Sequence, residues 1–209
     1  IIHPDEVAGR TSVEKRARIA AWLQARHADV LVLTALDSIA WTFNLRGQEV
    51  PRTPVARAFA LVHADGTGDL FVDEHKLSAE VIAHLGSTVR LHSSNALSAA
   101  LQAMSGKAVA VDPERAAAAI LALLKRAGVT VLEVADPVMS YKAVKNHAEI
   151  AGHRNAQLRD GAAVTRFLHW FSRAALGSTQ GTEGVVTELS AAAKLLEFGM
   201  APRQLRIFG

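Results

Sequence analysis

Residues 58–73 read Ala-Phe-Ala-Leu-Val-His-Ala-Asp-Gly-Thr-Gly-Asp-Leu-Phe-Val-Asp. Two runs of strand-forming residues, 58–63 and 69–73, stand on either side of the pair Asp65-Gly66. An Asp-Gly pair between two such runs is among the strongest local signals of a β-hairpin. The strands of a hairpin are antiparallel neighbours, so this stretch predicts an antiparallel pair inside a larger sheet.

Outside the hairpin, strand-like and helical stretches alternate. Short runs of β-branched and apolar residues are typical of buried strands, and they occur at 29–33, 88–92, 107–111 and 129–134. Stretches with helical spacing lie between them, at 12–27, 37–43, 78–85, 94–104 and 113–127. The pattern predicts an α/β domain, a mixed sheet of roughly six strands flanked by helices, which ends near residue 138.

Two local signals refine this prediction. Thr11 and Glu14 have the spacing of a capping box, in which each side chain binds the backbone N–H of the other residue. Trp41 and Phe43 are predicted to anchor the core from a short helix that Asp37 could cap.

The pattern changes after residue 147. Residues 147–172 predict a long helix, the glycine-rich stretch 177–184 predicts a flexible loop, and a second helix is predicted from Thr187 to Phe198. Two long helices after a complete α/β domain indicate the beginning of another domain.

Composition excludes several classes of protein. Half of the 209 residues are hydrophobic and 21% are charged, as in ordinary globular proteins, and no apolar run is long enough to span a membrane. The absence of cysteine excludes disulfides and thiolate metal sites, and it fits a cytoplasmic location. The basic run Lys15, Arg16 and Arg18 is predicted to be a solvated helix face, so no nucleic-acid partner is expected. Because the chain begins with Ile1, we expect it to be a piece of a longer protein.

Several histidines and carboxylates between residues 63 and 92 are candidate metal ligands. None of the histidines has a metal-binding spacing on a single helix, and we favour scattered surface positions for them. Strand-end carboxylates could gather a cation, but solvent exposure is the commoner arrangement. The residues concerned are His63, His75, His84 and His92, with Asp69, Asp73 and Glu74.

Three further segments carry a family resemblance. They are residues 35–47 (Ala-Leu-Asp-Ser-Ile-Ala-Trp-Thr-Phe-Asn-Leu-Arg-Gly), residues 142–146 (Lys-Ala-Val-Lys-Asn) and residues 187–190 (Thr-Glu-Leu-Ser). In this order they resemble the aminopeptidase P branch of the creatinase/prolidase, or pita-bread, superfamily. The resemblance covers nearly the whole chain.

The resemblance implies a domain layout and a parent activity. Residues 1–11 would be a linker from a preceding domain, 12–138 a creatinase-type N-terminal domain, and 141–209 the first helices of an incomplete pita-bread catalytic domain. The parent would be a homodimeric Xaa-Pro aminopeptidase that acts on proline-containing peptides with two divalent ions, manganese or zinc. No metal or catalytic residue of the family maps onto this chain, so we expect it to be inactive without the missing C-terminal catalytic domain.

The loop Asn44-Leu-Arg46-Gly47 is the candidate site. Gly47 would allow a sharp turn, and Arg46 could offer its guanidinium to a carboxylate across a domain or subunit boundary. A role at the substrate entrance and a role in domain or subunit packing both stay open. Lys142 and Lys145 are predicted to lie on a solvated connector.

Two other functions compete with a fragment of an Xaa-Pro aminopeptidase. One is a natural metal-free module for binding or dimerisation, as some members of the superfamily are. The other is creatinase-type or prolidase-type chemistry in the parent, which the aminopeptidase-like segments disfavour.

Overall fold

The computed structural model describes residues 1–179 and 186–200. The chain divides into two compact units, Ile1–Asn146 and His147–Gly209. The first unit therefore includes residues 1–11 and extends eight residues past the predicted domain end at 138.

The first unit contains a six-stranded sheet. Its strands run in the order β4-β3-β2-β1-β5-β6, and β2 is antiparallel to both of its neighbours while the other pairs are parallel. The predicted mixed six-stranded α/β fold is confirmed, and so is the hairpin, which pairs Val62 with Gly68 and Phe59 with Phe71. The strands are β1 (Val30–Leu33), β2 (Phe59–His63), β3 (Gly68–Phe71), β4 (Val89–His92), β5 (Ala108–Val111) and β6 (Thr130–Glu133).

Seven helices of this unit flank the sheet. They are α1 (Asp5–Ala8), α2 (Ser12–Gln24), α3 (Leu36–Phe43), α4 (Ala79–Leu85), α5 (Leu97–Gln102), α6 (Ala118–Arg126) and α7 (Pro137–Ala143), and short 3₁₀ turns occupy Glu74–Lys76 and Ser94–Ala96. The capping box of α2 is confirmed, because the Glu14 N–H donates to Thr11 Oγ1 at 3.1 Å and the Thr11 N–H donates to Glu14 Oε2 at 2.7 Å.

The differences from the prediction include the start of one helix and the presence of another. The helix expected from residue 113 begins at Ala118, because the Asp112 carboxylate accepts the Glu114 N–H at 3.0 Å and holds a turn there. Helix α7 was not predicted, although Asp136 caps it by accepting the Val138 N–H at 2.8 Å and Pro137 begins it. This cap-and-proline pair is a recognised start signal for a helix.

Both faces of the sheet are buried. Helices α2, α3, α4 and α7 cover one face, where Phe43 and Val62 belong to the core. Helices α5 and α6 cover the other face, which includes Leu61 and Phe71. Phe43 has no exposed surface and Trp41 is half-buried against the first core, so both act as the predicted anchors.

The prediction of a solvated basic face on α2 was wrong for Lys15 and Arg16, whereas Arg18 is exposed as predicted. Lys15 is 2% exposed and Arg16 is 1% exposed. Lys15 Nζ donates to Asn44 Oδ1 at 2.6 Å and to the Trp41 carbonyl at 3.1 Å, while Arg16 Nη1 donates to the Gly66 carbonyl at 2.7 Å. Buried cations are tolerated when such acceptors satisfy them, and these acceptors lie far away in the sequence.

The second unit consists of helices α8 (His147–Thr179) and α9 (Glu188–Met200). Both helices were predicted, but α8 is longer than expected and includes the first three residues of the predicted loop 177–184. The rest of that loop, at 180–184, lies outside the described residues, as do residues 201–209. Among the described residues, no helix is long and apolar enough to cross a membrane.

Candidate functional site

Asn44 ends α3 and holds the start of the candidate loop. Its backbone adopts a left-handed conformation with φ 51°, which asparagine tolerates better than most residues. Its side chain has no exposed surface. The amide Nδ2 donates to Asp5 Oδ1 and to the Arg10 carbonyl, both at 2.8 Å, and Oδ1 accepts from Lys15. Asn44 therefore joins α1, α2 and α3 and has no surface to offer a ligand.

The first residues of the chain pair with the same loop. The His3 N–H donates to the Asn44 carbonyl at 2.7 Å, and Ile2 forms an antiparallel bridge with Leu45. Burial lowers the pKa of His3 to about 4, and the positive charges of Arg46 and Lys15 act in the same direction. The His3 imidazole is therefore neutral at pH 7.

Arg46 and Gly47 form the half-buried part of the loop. Arg46 Nη1 donates to the carbonyls of Leu45 at 2.9 Å and Ala40 at 3.3 Å, at the C-terminal end of α3, where a cation is favoured. A Cβ on Gly47 would lie 2.6 Å from the Val55 carbonyl oxygen, so no larger residue fits without moving the backbone. Gly47 is needed for this close approach.

A cavity of about 300 Å³ opens beside Arg46 and Gly47. The cavity is bounded by α3 on one side, by the segment 76–81 leading into α4 on the other, and by the sheet beneath. At its mouth, Lys76 Nζ and Glu49 Oε2 form an ion pair at 2.7 Å. Most of the lining side chains are apolar, and they include Ile39, Ala58, Leu70, Val72, Leu77 and Val81.

A second cluster surrounds Asp69 on β3. Asp69 Oδ2 lies 2.5 Å from His63 Nε2, Asp69 Oδ1 lies 2.6 Å from His92 Nε2, and Arg90 binds both carboxylate oxygens. Asp69 is buried, whereas the Arg90 side chain is 59% exposed. The predictions of scattered histidines and a water-facing Asp69 were therefore wrong for these residues. The signal that could have found the cluster is the placement of Asp69 and Arg90 on adjacent predicted strands.

The charges of this cluster stabilise one another. Burial acts to raise the pKa of the Asp69 carboxyl, but hydrogen bonds from Arg90, His63 and His92 outweigh it and hold that pKa far below its usual range. The hydrogen bonds between Arg90 and Asp69 in turn raise the pKa of Arg90. Asp69 is ionised throughout the physiological range, with both oxygens engaged by neighbouring side chains.

The other candidate ligands do not join this cluster. His84 Nε2 lies 3.1 Å from the Phe43 carbonyl, and the Asp73 carboxylate accepts the His75 N–H at 3.1 Å to cap a 3₁₀ turn. Within residues 1–179 and 186–200, no three His, Asp or Glu side chains are placed to hold a metal ion. The two metal ions implied by the family therefore do not fit the described residues.

The prediction that Lys142 lies on a solvated connector was wrong. Lys142 lies on α7 and forms an ion pair with Asp37 at the start of α3. Burial acts to raise the pKa of Asp37, but Lys142 outweighs it and lowers that pKa. Nearby, Asn146 Nδ2 donates to the Ala8 carbonyl at 2.8 Å, while Lys145 is exposed. The 142–146 segment is thus tied to the first unit.

Relatives in sequence are Xaa-Pro aminopeptidases. The probable Xaa-Pro aminopeptidase P of Paracoccidioides lutzii is 36% identical over 208 residues, which cover 94% of this chain and 33% of the relative. That of Aspergillus clavatus is 37% identical over 178 residues, covering 81% of this chain and 27% of the relative. The chain thus spans about a third of the length of these curated relatives.

Solved structures show the same similarity. The X-prolyl aminopeptidase of Caenorhabditis elegans, a cytosolic enzyme with a di-nuclear active site, matches with a TM-score of 0.84 at 26% identity. The match covers 95% of this chain and 32% of that protein. The Xaa-Pro dipeptidase of Bacillus anthracis matches with a TM-score of 0.64 at 15% identity, over 90% of this chain and 49% of its own, which shows a shared fold.

A family profile agrees with these relatives. The profile of the creatinase/prolidase N-terminal domain matches residues 1–149, well over half of the chain. The resemblance seen in the sequence is confirmed, and the chain belongs to the creatinase/prolidase N-terminal domain family.

Proposed function

We propose that this chain is a non-catalytic part of a metal-dependent Xaa-Pro aminopeptidase, an enzyme that removes the N-terminal residue preceding proline. The observation that carries the proposal is the 36% identity to an Xaa-Pro aminopeptidase P over 94% of this chain. The C. elegans X-prolyl aminopeptidase supports it with a TM-score of 0.84. A cytoplasmic location is part of the proposal and is supported by the same relative, a cytosolic enzyme.

The proposal assigns catalysis to residues outside the described part of this chain. The nearest approach to a metal site among the described residues is Asp69 with His63 and His92, and these groups already bind one another and Arg90. The ligands for two manganese or zinc ions would therefore come from a C-terminal catalytic domain. The relatives are longer than this chain, which supports the proposal that such a catalytic domain is a partner of this chain in the whole enzyme.

Within the enzyme, the loop at 44–47 would have two roles. It would hold neighbouring helices together, and it would border the entrance through which substrate reaches the enzyme. Asn44 supports the packing part, because its buried side chain joins three helices. Arg46 and Gly47 support the access part, because they border the apolar cavity. Proline-containing peptides are the proposed substrates of the whole enzyme, which we propose to be a homodimer.

Hydrolysis of an Xaa-Pro tripeptide tests this proposal. The purified 209-residue chain and the full-length protein would be assayed with added manganese or zinc, with a tripeptide lacking proline as the control substrate. We expect the full-length protein to release the residue before proline and the chain to be inactive. Activity of the chain itself, or none in the metal-loaded full-length protein, would contradict the proposal.

A metal-free module for binding or dimerisation is the second candidate. The exposed apolar side chains of α8 and α9 favour it, since such surfaces commonly mark an interface. If the full-length protein forms a stable dimer, cleaves no Xaa-Pro peptide and binds no divalent ion, this candidate replaces the first. The exposed residues include Leu158, Val164, Leu168, Leu189 and Leu196.

A further inference from the structure

The cavity between α3 and α4, hereafter the α3–α4 cavity, has the size of a binding site. Its volume of about 300 Å³ is at the lower end of the range for small-molecule pockets. A dry apolar cavity of roughly half that volume is already large enough for benzene. The α3–α4 cavity could therefore hold one leucine or phenylalanine side chain.

The topology of the sheet accounts for its position. Strands β1 and β3 are parallel to each other and are followed on the same face by α3 and the segment leading to α4. Strand β2 lies between them in the opposite direction, and the loop 44–58 leads into it in place of a helix. The cavity forms under this loop, at the carboxyl ends of β1 and β3. Crevices at the carboxyl ends of strands are where α/β sheets usually bind ligands.

The chemistry of the cavity favours an uncharged apolar group. Its base is formed by Ala58, Leu70 and Val72, which are buried members of the core. At the mouth, Lys76 and Glu49 form an ion pair, and the Arg46 guanidinium donates to the carbonyls of Leu45 and Ala40. The predominantly apolar lining therefore matches an apolar, uncharged group in the interior.

The mouth also carries a group that a peptide could use. Gln48 is exposed beside the cavity, and its amide can both donate a hydrogen bond to a peptide carbonyl and accept one from a peptide N–H. A hydrophobic amino acid within a peptide combines a neutral polar backbone with an apolar side chain. This combination matches the mouth and the interior of the cavity respectively.

We propose that the α3–α4 cavity binds the apolar side chain of a peptide. The choice of a peptide as the source of that side chain rests on the proposed function. The site would add affinity for peptides that carry a leucine or phenylalanine, because burying such a side chain strengthens binding by about tenfold or more.

Binding of capped amino acids to the 209-residue chain tests this inference without any need for catalysis. N-acetyl-phenylalanine methylamide, the same derivative of glycine, and toluene would each be titrated while backbone amide signals are followed by NMR. We expect the phenylalanine derivative to shift the signals of Ala40, Ala58 and Val72 in a saturable manner. The glycine derivative should bind at least about tenfold more weakly.

Variants that fill the cavity provide the matched control. Ala56→Phe adds a ring to a lining residue on the loop, and Ala40→Leu fills the cavity from α3 if the first variant is poorly folded. Ala119→Phe places the same ring on an exposed position of α6, on the opposite face of the sheet. Binding of the phenylalanine derivative should fall by about tenfold or more in the filled variants and stay unchanged in Ala119→Phe.

Several outcomes would overturn the inference. One is the absence of saturable shifts at the cavity, and another is equal binding in the filled and control variants. Binding of toluene without binding of the capped amino acid would assign the cavity to a free apolar molecule. If these probes fail while the full-length protein hydrolyses Xaa-Pro peptides, only this inference is lost. If the capped phenylalanine binds but the full-length protein hydrolyses no Xaa-Pro peptide, the binding site is supported and the proposed function is contradicted.

Discussion

Asp69 and Arg90 face each other on the adjacent parallel strands β3 and β4 and share two hydrogen bonds. Arg90 Nε donates to Asp69 Oδ1 at 2.7 Å, and Arg90 Nη2 donates to Asp69 Oδ2 at 2.8 Å. Such a two-point contact fixes both the direction and the distance of the partners. Because Asp69 is buried and also binds two histidines, this pair connects three strands at the sheet's edge.

Replacing Asp69 tests the strength of this connection. We expect Asp69→Asn to lower the free energy of unfolding by about 2 kcal/mol, because a neutral amide accepts weaker hydrogen bonds and leaves His63 without its buried partner. Urea denaturation at pH 7 measures the change. Asp73→Asn is the control, since this exposed residue caps a 3₁₀ turn and asparagine preserves the cap. Equal effects of the two substitutions would show that the Asp69 charge contributes little.

The same carboxylate predicts a sensitivity to acid. Its pKa is held well below the ordinary value by Arg90, His63 and His92, against the effect of burial. A depressed carboxyl pKa gives stability that is complete above the unfolded-state pKa near 4 and is lost as the pH falls below it. Between pH 4 and pH 2, the wild-type chain should therefore lose more stability than Asp69→Asn. Parallel denaturation curves over this range would contradict the prediction.

His3 predicts a second loss of stability on acidification, in a higher pH range than the loss due to Asp69. Its folded-state pKa is about 4, lowered by burial and by the charges of Arg46 and Lys15, so only the unfolded chain takes up a proton below pH 6.5. Stability from the neutral imidazole is complete above pH 6.5 and declines as the pH falls from 6.5 to 4. The loss should be about 3.5 kcal/mol at most, since one pKa unit corresponds to about 1.4 kcal/mol.

A comparison of two glutamine variants isolates this effect. In His3→Gln, the difference in unfolding free energy between pH 7.5 and pH 4.5 should be smaller than in the wild type. His75→Gln changes an exposed histidine and should leave that difference unaltered. If His3→Gln retains the full wild-type pH dependence, other groups are responsible for it.

The parts of the fold that the sequence predicted are those with local signals. The Asp65-Gly66 turn and the capping box of Thr11 and Glu14 each involve residues close together in the chain, and both occur as expected. The Asp69 cluster could not be predicted in the same way, because His92 and Arg90 come 23 and 21 residues after Asp69. Their contact depends on which strands become neighbours and in which register.

The burial of charged side chains could not be predicted from the sequence either. Lys15 lies among polar residues of α2, and its helical position does not reveal that Asn44, 29 residues away, accepts its hydrogen bond at 2.6 Å. The family resemblance identifies the candidate loop, but it does not predict which of its residues are buried and which border the cavity. Only the structure separates the buried Asn44 from Arg46 and Gly47 at the cavity.

Gly47 predicts a steric effect on the loop that covers the cavity. We expect Gly47→Ala to lower the free energy of unfolding by roughly 1–3 kcal/mol, because its Cβ would lie 2.6 Å from the Val55 carbonyl oxygen. Gly161→Ala is the control, since no atom outside its own helix lies within 4 Å of the added Cβ. That helical substitution should stabilise by about 0.5–1 kcal/mol. A destabilisation of similar size at both positions would argue against the steric account.

The second unit predicts a difference in amide hydrogen exchange. Leu158 on α8 is 73% exposed and Leu189 on α9 is 85% exposed, so much of the apolar surface of these helices lacks a cover. Elements with few buried contacts open more easily, and their amides exchange faster. In a monomeric chain, α8 and α9 should therefore exchange faster than β1 and β5, whose residues are nearly all buried. Mass spectrometry of exchange at several protein concentrations measures this, because association of two copies would slow exchange in the helices as concentration rises. Helices as protected as the central strands, in a chain shown to be monomeric by light scattering, would mean that these apolar side chains need no partner.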